Sequence, residues 1–278
     1  MVYEGIFQTF YDNGMVREES YYKEGKLEGI SKTFYPNGKL MEENFYRQNI
    51  KEGTCKTYFE SGVIKSELIF SADKINGISK YYFDDGELKA EVAYIDGKKN
   101  GPARIYYRSG PLKENKTHID DKIEGLVSTY YKSGTIKGEW VYKNGVPEGT
   151  SKFYYETGEI MGEKSYKNGK DHGLTKIYFK DGKIKEKILF DEGMKHGANL
   201  IYFESGELRK KLLWDSGKKK QEETITGTIN SNEDLAGREP ATIRAEIKKH
   251  QMIRGALWVS LIFIVTFLIY TFLISFAG

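Results

Sequence analysis

The hydrophobic and polar positions of this chain recur with a step of 24 residues from its first strand-like segment to about Trp214. Nine glycines, Gly14, Gly38, Gly62, Gly86, Gly110, Gly134, Gly158, Gly182 and Gly206, mark one phase of the repeat. A second series, Gly5, Gly29, Gly53, Gly77, Gly101, Gly125, Gly149, Gly173 and Gly197, keeps the same step nine residues earlier. Three and four residues before each glycine of the first series stands an aromatic pair, such as Phe34-Tyr35, Tyr130-Tyr131 or Tyr178-Phe179. Two residues after that glycine comes an aliphatic, and eight after it a further aromatic, with His118 the one exception. A fixed period of this size marks an array of like units, each too small to stand alone and buried by its neighbours.

The turn chemistry sets the register. The glycines follow pairs such as Pro36-Asn37, Arg108-Ser109 and Glu156-Thr157. A β-branched Thr157 is unsuited to positive φ, so an Asn-Gly type I′ turn cannot serve every copy. A type I turn closed by a left-handed glycine, the bulge of a three-residue hairpin loop, suits all of them. In that register Tyr130 faces Ile136, an aromatic-on-aliphatic pair that contributes roughly 0.2 to 1 kcal/mol in each hairpin. Adjacent side chains diverge to opposite faces, so the two aromatics of each pair part company. The fold expected is an all-β repeat: an elongated single-layer antiparallel meander of about nine 24-residue β-hairpins. At ~4.8 Å per strand, some eighteen strands would extend about 85 Å.

The Tyr-Tyr-x-x-Gly-x-Leu/Ile-x-x-Glu-x-x-Tyr pattern, with the glycine that opens each unit, resembles the MORN (membrane occupation and recognition nexus) repeat family. The likeness is to the variant repeats of bacterial YwqK-like proteins described as toxin–antitoxin antitoxins, and it spans roughly residues 3 to 217. It implies an elongated antiparallel meander and, for function, an antitoxin-like protein that sequesters a toxin partner. The step is slightly longer than that of the better known eukaryotic unit, so lipid and junctional roles transfer poorly.

The fifth hairpin departs from the pattern. Pro102 and Pro111 fall in it, Asn115 stands where most copies have Glu, and His118 replaces an aromatic. Since proline removes ladder donors, a bend or softer junction is expected near residues 101 to 120. Open edges invite pairing with another chain. Glu222 to Ile229 is expected to cap one end, while the strand beginning at Val2 shows no cap and could support self-association.

Beyond the array, residues 218–239 read as capping strand and linker, and 240–254 as a basic juxtamembrane helix opened by Pro240. Gly255 to Ala277 is a run of 23 residues without a charge. At 1.5 Å per residue it is long enough to cross a ~30 Å hydrocarbon core as a transmembrane helix. Arg244, Lys248, Lys249 and Arg254 precede the span and Trp258 lies near its start, so these five residues are the expected membrane interface. No basic residue follows, which places the repeat domain in the cytoplasm of a single-pass, tail-anchored protein.

Composition narrows the chemistry. The 43 basic and 40 acidic residues nearly cancel, so no strong field points to nucleic acid. A basic series, Lys32, Lys56, Lys80, Arg104, Lys152 and Lys176, interleaves with the aromatics as single-strand binders do. Cross-strand ion pairing, with Lys32 near Glu42, Arg104 near Glu114 and Lys176 near Glu186, is the reading adopted. Cys55 is the single cysteine, which rules out an intramolecular disulfide and fits a reducing compartment. No basic start followed by an apolar core opens the chain, so a cleaved secretion signal is not expected.

Catalysis needs unique residues converging on one point, whereas the polar residues here recur along a line. Glu19, Glu43, Glu67, Glu91, Glu139 and Glu163 lie about 10 Å apart, two strands per step, near the carboxylate spacing of inverting glycosidases. They read instead as lysine partners. His172 and His196 share a loop position in successive units, and the same separation argues against one zinc ion bound by both. No glycine-rich phosphate loop joins a strand to a helix. The expectation is therefore a protein with no catalytic residue, cofactor or metal, a membrane-tethered scaffold that binds a protein. The second-face aromatics Tyr11, Tyr35, Phe59, Phe83, Tyr107, Tyr131, Tyr155, Phe179 and Phe203 are the candidate partner surface, unless lysine stems and sheet coiling cover them.

Overall fold

The computed structural model describes residues 3–225. Within them the chain forms a single open antiparallel sheet of 24 strand segments and no helix. Each full-length strand pairs with the next one in sequence, from Gly5–Phe10 at one edge to Lys218–Thr224 at the other. Five segments are two-residue arms, such as Ile50–Lys51 and Val146–Pro147, each leading into a longer strand after one unpaired residue. Joined to those strands, they give nine hairpins and a terminal strand, as the period predicts.

The loop at each first-series glycine has the expected form. Tyr131 N–H donates to Thr135 O at 2.8 Å and Gly134 N–H to Tyr131 O at 3.0 Å, with Gly134 at φ +87°. The expected cross-strand pair follows in every copy, from Phe10 opposite Val16 to Tyr202 opposite Leu208. One residue is then skipped. After Tyr130 opposite Ile136 comes Thr129 opposite Gly138, so Lys137 is the bulge.

That extra residue corrects the expected ion pairs. Lys32 faces Glu43 rather than Glu42, Arg104 faces Asn115 and Glu91, and Lys176 faces Lys187 and Glu163. Pairing survives with other partners: Lys56 to Glu67 at 3.6 Å and Lys176 to Glu163 at 3.3 Å.

The hairpins connect through a second turn. At Asn144-Gly145 both residues have positive φ, +52° and +83°, the signature of a two-residue type I′ turn. The same pair of conformations recurs at Glu24-Gly25, Ala72-Asp73 and Glu192-Gly193. Just beyond it lies a wide bulge: Val92 pairs with Ala103 and Tyr94 with Lys99, leaving Asn100, Gly101 and Pro102 opposite Ala93.

The ladder runs unbroken through the fifth hairpin. Pro102 sits in the bulge that every unit possesses, where no ladder donor is needed toward the preceding strand. Pro111 occupies a position whose N–H elsewhere donates to a turn side chain, as Lys39 N does to Asn37 Oδ1 at 3.0 Å. Both prolines therefore replace donors the ladder does not use.

The most buried column is made of small side chains, Ser31, Cys55, Ser79, Ala103, Val127 and Ser151, each under a tenth exposed. On the same face the second aromatics of each pair flank this column on one side. The aromatics eight residues after the loop glycine, such as Tyr46 and Phe70, flank it on the other. Small groups fit between two rows of rings, which is how a single layer acquires a dry centre. The opposite face carries the first aromatics, the aliphatics and the Glu–Lys pairs.

The terminal strand begins at Lys218, earlier than the expected Glu222, and is exposed along its length. Residues 226–229 of the expected cap lie outside the described residues. So do the linker, the juxtamembrane helix with Arg244, Lys248, Lys249 and Arg254, and the expected span with Trp258. Among the described residues no helix is long and apolar enough to cross a membrane.

Candidate protein-binding face

The candidate surface lies along the margin formed by the three-residue loops. Its rings are half-buried except Phe203, which is 44% exposed. Where the ring is tyrosine its hydroxyl is used: Tyr107 donates to Tyr130 O at 2.8 Å and Tyr155 to Tyr178 O at 3.0 Å. These bonds stitch each loop to the first aromatic of the next unit.

Cations lie over most of the rings. The bulge residue is commonly basic, and its ammonium stands 5.6 to 5.9 Å from the ring it crosses: Lys65 over Phe59, Lys113 over Tyr107, Lys137 over Tyr131 and Lys185 over Phe179. Such contacts contribute about 0.5 to 1 kcal/mol where exposed. The margin is therefore a row of rings most of which are capped by a positive charge, neither a bare apolar stripe nor a sealed one.

The row deepens at the fifth to seventh units. Gly138 and Gly162 stand where the fifth unit has Glu114, and the indole of Trp140 lies across Gly138, so that a Cβ there would come within 2.5 Å of it. Trp140 meets Phe153 edge to face at 5.4 Å between centroids. The hollow left holds about 390 Å³ and is bordered by Tyr107, Tyr131, Met161, Lys113, Lys137 and Glu114. Glu114 is paired with Lys116 at 2.8 Å. The floor is aromatic and the rim carries two amines.

The Glu series on the opposite face is committed to structure. Glu67 accepts the Tyr82 hydroxyl at 2.7 Å and Glu139 that of Tyr154 at 2.8 Å. Burial, then the carboxylate bond, pushes both phenols up to about 12. Among the described residues, the cluster of possible ligands around His172 does not include His196. The structure places His172 Nδ1 3.3 Å from Asp191 Oδ1 instead, a juxtaposition hidden in the sequence because Asp191 belongs to the partner strand. Cys55 is 3% exposed, and burial pushes its thiol up.

Comparison with known proteins bears on these features. A porin-like protein of Bacteroides uniformis is 9% identical over 79% of this chain and 92% of its own, with a TM-score of 0.18. A Tc holotoxin pore of Photorhabdus luminescens is 12% identical over 75% of this chain and 12% of its own, with a TM-score of 0.17. Scores this low carry nothing about fold or function. No curated protein matches the chain. The MORN repeat variant, by contrast, matches seven times, at residues 3–24, 27–48, 51–72, 75–96, 123–144, 147–168 and 171–192. Each match runs from the strand of one bulge to the type I′ turn, one structural unit as the sheet defines it. With more than half of its residues in such units, the chain belongs to the MORN repeat variant family.

Proposed function

We propose that this protein is a non-enzymatic repeat scaffold that binds a protein partner along the loop margin, with the hollow at Trp140 as its anchor point. The observation that supports this is the repetition of one half-exposed ring-plus-cation unit along an open sheet, deepening where Gly138 and Gly162 remove side chains. Such a surface suits an extended segment that offers an apolar side chain to Trp140 and Phe153, and acidic groups to Lys113 and Lys137. Aromatic anchors in a pocket with a charged rim are the usual source of interface affinity. The reading extends to the uncharged run Gly255 to Ala277, which would hold the scaffold on a membrane with the array on the cytoplasmic side.

The test is affinity capture of the full chain in mild detergent, followed by binding of the recovered partner to variants. Lys113→Glu with Lys137→Glu, or Trp140→Ala, should weaken that binding at least tenfold. A monodisperse chain that recovers no partner, or a partner that binds both variants as it binds the parent, overturns the reading. Resistance of the full chain to carbonate extraction checks the tether.

A further inference from the structure

In a periodic sheet, a functional site betrays itself where several positions leave the repeat together and meet. One such place exists at the type I′ turn margin. In the sixth and seventh units the residue before the bulge glycine is Glu124 or Glu148, whose carboxylate accepts the N–H of Asn144 or Asn168 at 2.7 Å. The residues preceding those turn asparagines are Lys143 and Lys167. One unit later all three positions change. Histidine replaces the glutamate at 172, aspartate replaces the lysine at 191, and glutamate replaces the asparagine at 192.

The three replacements converge. One ligand atom each from His172, Asp191 and Glu192 lies within 4.8 Å of the other two. His172 and Asp191 side chains are 27% and 20% exposed. The Nδ1 of His172 is buried, and it stands beside Asp191 without the geometry of a hydrogen bond. We propose that His172, Asp191 and Glu192 form a binding site for a divalent first-row transition ion, with water completing its coordination.

The donor set fits that class. One imidazole and two carboxylates suit zinc, cobalt or manganese, whereas an all-oxygen set would suit calcium or magnesium. Ligand atoms around a tetrahedral ion with ~2.1 Å bonds lie roughly 3.4 Å apart. The closure from 4.8 Å toward that separation would fall to the Glu192 side chain, which is 38% exposed. Lys170, 3.4 Å from a Glu192 oxygen and 59% exposed, is the cation that an entering ion would displace. With histidine neutral, the three replacements take the local charge from zero at Glu148, Lys167 and Asn168 to about two negative at His172, Asp191 and Glu192.

The experiment uses the full chain without a polyhistidine tag, stripped with chelator and titrated with Co²⁺ alone and then with Zn²⁺. One equivalent of Co²⁺ should give visible d–d absorption, displaced by Zn²⁺, with a rise in melting temperature on loading. The variant His172→Asn, Asp191→Lys, Glu192→Asn places at each position a residue that already stands there in other units, so its fold is preserved. It should bind at least tenfold more weakly and lose the thermal shift, while His196→Asn retains both. Absence of ion uptake at micromolar Co²⁺ by the parent overturns the proposal. So does equal binding by the triple variant, since the ion is then held elsewhere.

Discussion

The hydroxyl of Tyr131 donates to the backbone carbonyl of Tyr154, 2.8 Å away and one unit further along the chain. Tyr11, Tyr35, Tyr107 and Tyr155 make the same bond, each spanning 23 residues. It ties a loop to the next hairpin independently of the ladder. Removing the hydroxyl in Tyr131→Phe should cost about 0.5 to 1.5 kcal/mol, the usual net value of such a bond. Phe59→Tyr supplies the missing donor to the Tyr82 carbonyl and should stabilise by up to about 1 kcal/mol. Denaturant melts followed by far-ultraviolet circular dichroism read both signs.

Two glycines separate backbone strain from crowding. Gly101 has φ +109° and a Cβ there would stand 3.0 Å from Ala93 Cβ, whereas Gly206 has φ +95° and open space around it. Alanine at either position meets a backbone cost of about 1 to 2 kcal/mol. Overpacking adds roughly 1 to 3 kcal/mol at Gly101 only. Gly101→Ala should therefore be the more destabilised of the two in urea, and equal midpoints would show that the bulge yields without cost.

Much of this arrangement was legible in the sequence. The period, the three-residue loop and the pairing of Tyr130 with Ile136 follow from glycine spacing and from Thr157, because turn geometry fixes the first pair on either side. The positions beyond that pair were not fixed. A bulge adds one residue to one strand, and alternation alone does not say where it falls, so Lys32 was expected opposite Glu42 and stands opposite Glu43. The type I′ turns have their plainest signal in Asn144-Gly145 and Asn168-Gly169, and in other units residues such as Ala72-Asp73 carry no such mark. Their column is less regular than the two glycine series, because Asn49, Asp73 and Asp121 stand in it beside glycines such as Gly25, Gly97 and Gly145. For the candidate face, alternation of side chains separates its aromatics from the first ring of each pair. Whether lysine stems cover them depends on side-chain conformation, and the answer, a cation over each of most rings, lies between the two readings.

Cys55 tests the small-residue column directly. It is 3% exposed with its thiol pushed up by burial, so it should resist thiol reagents in the folded chain and react on unfolding. Serine holds the equivalent place as Ser31, Ser79 and Ser151, each buried. Cys55→Ser should thus change stability by less than about 1 kcal/mol, while Cys55→Leu overpacks the column and should cost ~1 to 3 kcal/mol.

The tyrosine–glutamate bonds predict an alkaline limb. Tyr82 and Tyr154 have pKa values raised to about 12, by burial first and then by the bonds to Glu67 and Glu139. An unfolded phenol ionises near 10, so above that pH the unfolded state gains charge that the folded state resists. The stability these groups confer is full below pH ~10 and is lost as pH rises toward about 12. Ultraviolet titration of phenolate should show delayed ionisation in the parent, reduced in Tyr82→Phe with Tyr154→Phe. An unchanged titration would show that the hydroxyls reach water.

His118 predicts the acid limb, with opposite sense. It occupies the column held elsewhere by Tyr94 and Tyr142, is 5% exposed, and its Nδ1 has no hydrogen-bond partner among the described residues. Burial holds its pKa below the ordinary histidine value, aided by Lys116 and Lys99 and opposed by Asp121 and Glu114. As pH falls through the unfolded value of about 6.5, the unfolded chain takes up a proton that the folded chain refuses. Stability should fall there by at most about 1.4 kcal/mol per pH unit, the limit for one proton. His118→Tyr restores the repeat aromatic and removes the titrating group. Its melting temperature should hold steady where the parent's declines on acidification, and parallel profiles for the two would assign the acid limb to the carboxylates instead.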